Sequence, residues 1–225
     1  GLKPEDLYRM GSILNFNGAS EMLELQKSHM EGDPNKIPML FMMDVIHGYR
    51  TIFPIPLALG SSFNTEIVKE CTRMAAKEAK AAGVHVTFTP MVDYVRDARW
   101  GRVMETCGEE PMINSVMGAA QIEAFKSQGM ATCVKHFAAY GGAEAGRDYN
   151  NVELSEHILR EFYLPAYKAC IDAGAEMLMP SFNVLNGVPS VGNKWLMNKI
   201  LRDEWNFEGI VISDFGAVGE LITHG

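Results

Sequence analysis

Short apolar runs alternate with longer amphipathic segments along the chain. The short runs are rich in Val, Ile, Met and Phe, residues that suit a pleated strand, and they predict six β-strands. These strands cover residues 12–16, 39–44, 84–89, 131–137, 175–181 and 209–214. The segments between them repeat their apolar residues at helical spacing. The helices they predict cover residues 20–30, 63–82, 110–128, 154–173 and 193–205.

Residues with special backbone preferences mark the ends of several predicted helices. Asn64 and Ser155 stand where a side-chain oxygen can cap the free N–H groups of a first helical turn. Gly83, Gly129 and Gly174 stand just after helical segments, where the chain commonly turns through a left-handed conformation. No linker or low-complexity stretch separates these elements, so we expect residues 1–225 to form a single domain.

The predicted strands are apolar on both faces, which is typical of a parallel sheet covered by helices. Strand–helix alternation leads either to a doubly wound sheet or to a β/α barrel. Polar residues follow five of the strands, and a barrel gathers many strand ends around one mouth, so the barrel is favoured. The polar residues are Asp44, His47, Asp93, Lys135, His136, Ser181, Asn183 and Asp214. A complete barrel has eight strands, so we predict an incomplete (β/α)8 TIM-type barrel.

Composition and charge exclude several classes of partner. The net charge is −8 and no basic run occurs, so nucleic acid is not expected as a ligand. No apolar stretch is long enough to predict a membrane span, and the first residues do not have the pattern expected of a signal peptide. The chain starts at Gly1 rather than at methionine, so we expect a processed product or an excised fragment. The four cysteines are widely spaced without a C-x-x-C pair, which predicts free thiols.

Cofactor and nucleophile motifs are missing from the sequence. The glycine-rich patterns of dinucleotide and P-loop sites are absent, as are H-E-x-x-H and G-x-S-x-G, so no cofactor is expected. Asp44 and His47 suit substrate binding or turn formation better than a metal site. Lys135 could form a Schiff base, as in aldolase-type barrels, although His136 and the carboxylates nearby favour its protonated form.

The predicted mouth has the composition of a carbohydrate site. Its Asp, Arg, Lys and His side chains offer paired donors and acceptors to adjacent hydroxyl groups. Aromatic side chains in the same region, which can cover the apolar side of a sugar ring, are Trp100, Phe137, Phe182 and Phe215. An ionised Asp214 could attack an anomeric carbon and divide glycosidic cleavage into two easier steps, and the nearby cations would favour its charged form.

Four long motifs resemble those of family 3 glycoside hydrolases. They are MDVIHGYRTIFPIPLALGSSFN (43–64), PMVDYVRDARWGRVMETCGEEP (90–111), CVKHFAAYGGAEAGRDYN (133–150) and GIVISDFGAV (209–218). The resemblance covers essentially the whole chain and is nearest to the bacterial periplasmic β-glucosidase type. It implies that Asp214 is the catalytic nucleophile. The substrate-binding residues that it implies are Asp44, Arg102, Lys135, His136, Arg147, Met179 and Phe182.

The resemblance also implies an activity, and it implies that a following domain supplies part of the catalytic machinery. It implies a retaining exo-β-glucosidase that acts on oligosaccharides or on aryl and alkyl β-glucosides, in the periplasm or outside the cell. β-Xylosidase, β-N-acetylhexosaminidase and a non-catalytic sugar-binding fragment remain alternatives. In the glucosidase branch the general acid/base comes from a following C-terminal α/β sandwich domain. We therefore expect this chain to lack the acid/base and to contact that domain in the parent protein.

Overall fold

The computed structural model describes residues 8–224. These residues contain eight strands, and the larger sheet holds six of them in parallel. In chain order the strands are β1 (Ser12–Leu14), β2 (Leu40–Met43), β3 (Val86–Thr87), β4 (Ala131–Phe137), β5 (Met177–Pro180), β6 (Val184–Leu185), β7 (Val188–Pro189) and β8 (Ile210–Val211). The six-stranded sheet has the order β1-β2-β3-β4-β5-β8, and β6 and β7 form a separate antiparallel hairpin.

Helices connect the strands of this sheet. In chain order they are α1 (Ala19–Gly32), α2 (Pro56–Gly60), α3 (Thr65–Ala81), α4 (Pro111–Ser127), α5 (Glu156–Ile158), α6 (Pro165–Asp172) and α7 (Ala217–His224). Two further helices, Leu159–Tyr163 and Trp195–Glu204, have π-type hydrogen bonding. The strands follow one another around the sheet without the reversal of order that defines a doubly wound fold. The sheet is therefore a curled, incomplete TIM-type barrel, as predicted.

Alternate residues of the strands face opposite sides of the sheet. Met42, Cys133 and Met177 pack together in the barrel interior. The next residues along β4 and β5, Val134 and Leu178, instead pack outward against the helices. This period of two, together with helices on the outer face, explains why the strands are apolar on both sides.

The predicted helix caps are confirmed. Asn64 Oδ1 accepts hydrogen bonds from the backbone N–H groups of Glu66 (3.0 Å) and Ile67 (3.3 Å) at the start of α3. Ser155 Oγ accepts one from the N–H of Ile158 (3.2 Å) at the start of α5. After α3, Gly83 has a positive φ of 103°, a conformation that residues with a Cβ rarely adopt.

Apart from trimmed ends, one predicted helix and the burial of one predicted strand differ from the structure. The helix predicted over residues 154–173 is divided into α5, the π-type helix and α6, because proline at position 165 has no N–H to continue the hydrogen-bond ladder. The last strand was expected to be buried, yet Ile210 is 58% exposed. Among the described residues β8 pairs only with β5, so it forms an edge of the sheet and its other side is uncovered.

Two whole-chain features complete the fold. All four cysteines are free thiols, as predicted, and burial raises the pKa of Cys107 and of Cys133 to about 12. In residues 8–224 no helix combines the length and apolar character needed to cross a membrane.

Candidate active site

A cavity of about 560 Å³ lies at the carboxyl ends of the strands and collects most of the predicted site residues. The predicted residues that line it are Asp44, Arg102, Lys135, His136, Met179 and Asp214. The other lining residues are Leu14, Met42, Ile46, Phe88, Glu105, Ile212, Ser213 and Phe215. The mouth of the incomplete barrel is therefore both apolar and densely charged, as the residues after the strands predicted.

Asp214 stands shortly after β8, and the local backbone holds its carboxylate in place. The N–H of Phe215 donates to Asp214 Oδ1 at 2.6 Å, and the carbonyl of Asp214 accepts from the N–H of Ala217 as α7 begins. The other carboxylate oxygen, Oδ2, lies 3.4 Å from Nε2 of His136. The side chain is 15% exposed, so one oxygen is held by the backbone and the other faces the cavity.

A buried lysine and a half-exposed aspartate form an ion pair across the cavity. Lys135 Nζ donates to Asp44 Oδ1 at 2.6 Å, and the Lys135 side chain is only 6% exposed. A buried ammonium group needs a partner of opposite charge, because water cannot solvate it. The pair places a fixed donor and a fixed acceptor side by side, which suits recognition of neighbouring hydroxyl groups.

Lys135 and His136 both line the cavity, although consecutive residues of a regular strand point to opposite sides. The alternation of a regular strand, which would turn these two side chains to opposite sides of the sheet, is therefore interrupted here. The register between β4 and β5 shifts between Lys135 and Phe137, where the regular alternation is interrupted. The peptide bond between Lys135 and His136 is cis. The shift of register brings two polar side chains from one strand end to a single site.

His136 is fully buried and its contacts extend behind the cavity wall. Its backbone N–H donates to Asp93 Oδ2 at 2.9 Å, and its Nδ1 lies 3.0 Å from the same oxygen. The Tyr167 hydroxyl reaches Asp93 Oδ1 at 2.8 Å and the His136 carbonyl at 2.6 Å. Burial lowers the pKa of His136 and outweighs the opposite effect of Asp93. Burial also raises the pKa of Tyr167 well above its usual value, so the phenol keeps its proton.

Arg102 reaches the cavity from the loop after β3 and is held by a neighbouring carboxylate. Its Nε and Nη2 donate to the two oxygens of Glu105 at 2.7 and 2.9 Å, and its Cζ lies 5.7 Å from the centre of the Tyr140 ring. Burial raises the pKa of Glu105, but Arg102, together with Lys135 and His136, outweighs burial and lowers it. The guanidinium is thus oriented before any ligand binds.

The aromatic residues expected at the mouth are distributed differently. Phe137 is completely buried and packs edge-on against Tyr167 and Trp205, so it belongs to the core. Trp100 is 1% exposed, and its indole N–H donates to Asp148 Oδ1 at 2.9 Å. Their assignment to the mouth is wrong, because an aromatic side chain in a barrel strand or in the loop after it can fill the core as readily as a cavity. Phe215 does line the cavity and is 83% exposed.

Two predicted substrate-binding residues lie outside the lining of the cavity. Phe182 stacks on Tyr149 with ring centres 4.5 Å apart and packs against Tyr140. Arg147 is exposed in the loop after β4, where its backbone N–H donates to the carbonyl of Glu144. Their roles toward a substrate stay predictions.

Three residues of the site were not assigned a role from the sequence. Glu105 follows Arg102 by three residues, a spacing that allows an ion pair on one helical turn and could have revealed it. Asp93 was noticed only as a polar residue after a strand. Tyr167 carries no such signal, because it lies inside an amphipathic helical pattern 74 residues from Asp93.

The alternative reading of Asp44 and His47 as metal ligands gains no support. The Nδ1 atom of His47 lies 2.9 Å from the carbonyl of Phe53 and organises the loop after β2. In the part of the chain that the structure describes, no three His, Cys, Asp or Glu side chains are grouped as a metal ion would require.

Fold and cavity together define an α/β-barrel domain whose mouth holds a strand-end carboxylate beside a Lys–Asp pair, a histidine and an arginine. Residues 6–225 match the family described as Glycosyl hydrolase family 3 N terminal domain. The chain belongs to this family.

The relatives of this chain include several glycosidases. It is 44% identical over 223 residues to a periplasmic β-glucosidase from Salmonella typhimurium, and the match covers 96% of this chain and 29% of the relative. A β-xylosidase from Formosa agariphila is 38% identical, with 79% of this chain and 26% of the relative covered. The chain thus spans less than a third of the length of these relatives.

A solved structure shares both fold and sequence with this chain. A β-glucosidase variant from Listeria innocua, in complex with laminaribiose, superimposes with a TM-score of 0.95 at 49% identity. The superposition covers 97% of this chain and 31% of that protein. The similarity therefore extends across almost all of the incomplete barrel.

Proposed function

We propose that the protein carrying this chain is a retaining exo-β-glycosidase that removes terminal β-glucosyl residues with Asp214 as the nucleophile. The observation that carries the proposal is the placement of Asp214. Its carboxylate stands at a strand end, has one oxygen bound by a backbone N–H, and turns the other toward a cavity shared with Arg102, Lys135 and Asp44. The glucosidases among the relatives support the choice of sugar.

In the proposed reaction the free oxygen of Asp214 attacks the anomeric carbon of the terminal sugar. A C–O bond forms to the enzyme while the glycosidic C–O bond breaks, and the departing oxygen takes a proton from a general acid. Water then attacks the same carbon, gives its proton to the conjugate base and releases Asp214. Two displacements at one carbon return the original configuration, which makes the enzyme a retaining one.

The charged pairs of the cavity would hold the sugar during both displacements. Lys135 and Arg102 are donors fixed by Asp44 and Glu105, and these carboxylates keep acceptor capacity for hydroxyl protons. A ligand that engages these groups does not have to order them first. Pre-orientation of this kind contributes to catalysis by positioning the sugar for attack.

The general acid/base is proposed to come from outside the cavity of the described residues. Besides Asp214, the only carboxylates that line this part of the cavity are Asp44 and Glu105, and each is paired with a cation. A general acid must hold a proton near neutral pH, whereas Arg102 lowers the pKa of Glu105. A following domain of the parent protein, which we expect to contact the cavity, is the proposed source.

We also propose a periplasmic or secreted location for the parent protein. The support is the name of the Salmonella relative, a periplasmic β-glucosidase that is 44% identical over 223 residues. Oligosaccharides and aryl or alkyl β-glucosides are the proposed substrates.

The test is to trap the covalent intermediate in the full-length protein. A 2-deoxy-2-fluoro-β-glucoside with a good leaving group forms the glycosyl ester readily but hydrolyses it slowly, because fluorine destabilises the positive charge of the transition state. We expect the intact mass to rise by one fluoroglucosyl group, mapped to the peptide that contains Asp214. Asp214→Ala should give no adduct, whereas Asp203→Ala, which removes an exposed carboxylate, should react like the wild type.

Other outcomes of the trapping experiment have definite meanings. An adduct on another residue, or an adduct in Asp214→Ala, would contradict the assignment of the nucleophile. Aryl β-xyloside and aryl N-acetyl-β-glucosaminide are compared with aryl β-glucoside in parallel. The β-xylosidase among the relatives makes the xyloside the informative competitor, and a higher kcat/KM on it would replace glucose by xylose in the proposal.

A further inference from the structure

Behind the cavity wall, three buried residues form one connected hydrogen-bond network. Asp93, His136 and Tyr167 are each 1% exposed. Asp93 Oδ2 is the partner of both the backbone N–H and the Nδ1 of His136, at 2.9 and 3.0 Å. The single hydrogen of the Tyr167 hydroxyl is shared between two acceptors, Asp93 Oδ1 and the His136 carbonyl. Only His136 of the three lines the cavity.

The network determines which ring nitrogen of His136 carries the hydrogen. Asp93 Oδ2 is an acceptor, because it already receives the backbone N–H of His136. Nδ1 lies 3.0 Å from that oxygen and must therefore donate to it, since two lone pairs would repel each other. Burial keeps the ring neutral by lowering its pKa, so Nε2 retains its lone pair.

The ring nitrogen without a hydrogen, Nε2 of His136, faces the place where the sugar would bind. Nε2 of His136 lies 3.4 Å from Oδ2 of Asp214, the oxygen proposed to attack the anomeric carbon. Two groups that both accept cannot bond to each other, so Nε2 is available to another donor. A ring hydroxyl of a sugar bound beside Asp214 is such a donor.

We propose that Asp93 and Tyr167 are positioning residues that hold His136 as a hydrogen-bond acceptor for one ring hydroxyl of the terminal sugar. Asp93 sets the tautomer and the orientation of the imidazole. Tyr167 fixes the carboxylate of Asp93 to the backbone of the strand end. Neither residue touches the sugar, and the inference rests on the proposed glycosidase function.

The test compares substrates that lack single hydroxyl groups in the full-length protein. Aryl β-glucosides deoxygenated at C2, C3, C4 or C6 are assayed with wild type, Tyr167→Phe, Asp93→Ala and Asp93→Asn. For the intact glucoside we expect kcat/KM to fall roughly tenfold in Tyr167→Phe and roughly a hundredfold in Asp93→Ala, as for a lost buried hydrogen bond. Asp93→Asn keeps an acceptor oxygen for the backbone N–H and should recover most of the loss.

The diagnostic result is non-additivity at one hydroxyl. One deoxy substrate lacks the hydroxyl that binds Nε2 in the intact glucoside. On this substrate the kcat/KM of Tyr167→Phe and of Asp93→Ala should be at most about threefold below that of wild type, because the interaction that these substitutions disturb is already absent. Tyr163→Phe is the matched control, since Tyr163 is equally buried in the adjoining helix and stands next to Gly142 rather than His136. It should leave the kcat/KM of every substrate unchanged.

The remaining outcomes separate the positioning role from the proposed function. If each variant, Tyr167→Phe or Asp93→Ala, lost the same factor in kcat/KM on all four deoxy substrates as on the intact glucoside, the role of these residues would be merely structural. That result would overturn the positioning role and leave the proposed function untouched. If Asp93→Ala does not fold, the Tyr167→Phe comparison decides the question by itself. If wild type hydrolyses none of the glucosides, the proposed function fails, and this inference fails with it.

Discussion

Lys135 and Asp44 form an ion pair whose two members differ in their exposure to solvent. The ammonium side chain is 6% exposed and the carboxylate side chain is 40% exposed. The lysine depends on its partner, because an isolated buried charge has lost its hydration. The aspartate could be solvated by water without the lysine.

This asymmetry predicts the effect of Asp44→Ala in the full-length protein. Removal of the carboxylate leaves the Lys135 ammonium buried without a partner, so the free energy of unfolding should fall by about 2 kcal/mol, a value reduced for the half-exposed partner. The kcat/KM on aryl β-glucoside should fall by at least roughly a hundredfold, since a fixed acceptor and the orientation of Lys135 are both lost. Urea denaturation and steady-state kinetics measure the two effects.

A surface pair of similar length serves as the control. Lys168 Nζ lies 2.5 Å from Asp172 Oδ1, and the two residues are one helical turn apart in α6. Their side chains are 38% and 60% exposed. Exposed pairs contribute little to stability, so Asp172→Ala should change neither the urea midpoint nor kcat/KM appreciably. Equal destabilisation by the two substitutions would contradict the role assigned to burial.

At the scale of elements, α3 shows how one polar side chain defines a helix start. Asn64 precedes the helix and its Oδ1 accepts from the first-turn N–H groups of Glu66 and Ile67. The apolar face of α3 packs through Val68 and Ala75 into neighbouring clusters of the core. The cap thus acts on a helix whose inner face is already buried.

Asn64→Ala should lower the free energy of unfolding by about 1 kcal/mol, because two first-turn N–H groups lose their acceptor. Asn64→Asp should retain the stability of the wild type, since a carboxylate accepts the same bonds and interacts well with the helix dipole. Both variants should keep normal kcat/KM, because no residue of α3 lines the cavity. An unstable Asn64→Asp variant would argue against the capping explanation.

The whole molecule should lose stability as the pH falls through the range of histidine titration. Burial is the main cause that lowers the pKa of His136 and of His85 from the usual value of 6.5. Below about pH 6.5 the unfolded chain therefore binds protons on these histidines that the native state does not bind. Their contribution to stability is full above that pH and is lost as the pH falls further through the lowered native pKa values.

His85 offers a clean test of this expectation. Its Nδ1 accepts the N–H of Phe41 at 3.0 Å, so protonation of Nδ1 would break the bond. We expect the urea midpoint of wild type to fall between about pH 7 and pH 5. In His85→Asn the amide oxygen can accept the same N–H without titrating, so the fall should be about half as steep. An unchanged slope would show that His85 makes no contribution.

Pattern and spacing alone were enough to predict the larger elements. The central apolar runs are strands in the structure because they are buried between the barrel interior and the helices, so burial and β-propensity act in the same direction. Their ends are trimmed, as in the strand predicted over residues 84–89, of which only Val86–Thr87 pairs as a strand. The capping residues act within one turn and therefore need no tertiary information.

The convergence of the site residues was predictable because parallel strands end at the same rim. Asp44 follows β2, Lys135 lies near the end of β4, and Asp214 follows β8. Each of the three therefore reaches the mouth from its own strand. The residue types identify a polar site for hydroxyl groups. The sequence by itself therefore determined the barrel class and the charged residues at its mouth other than Glu105.

Only the tertiary structure decided the features that depend on contacts between distant segments. The shift of register in β4 brings His136 to the cavity, and Tyr167 reaches Asp93 across 74 residues of chain. Phe137 lies in the core, and β8 lies at an open edge of the sheet. The local sequence pattern indicates which residues prefer burial or turns. The partner of each side chain depends instead on how whole elements pack against one another, and that packing is a property of the complete fold.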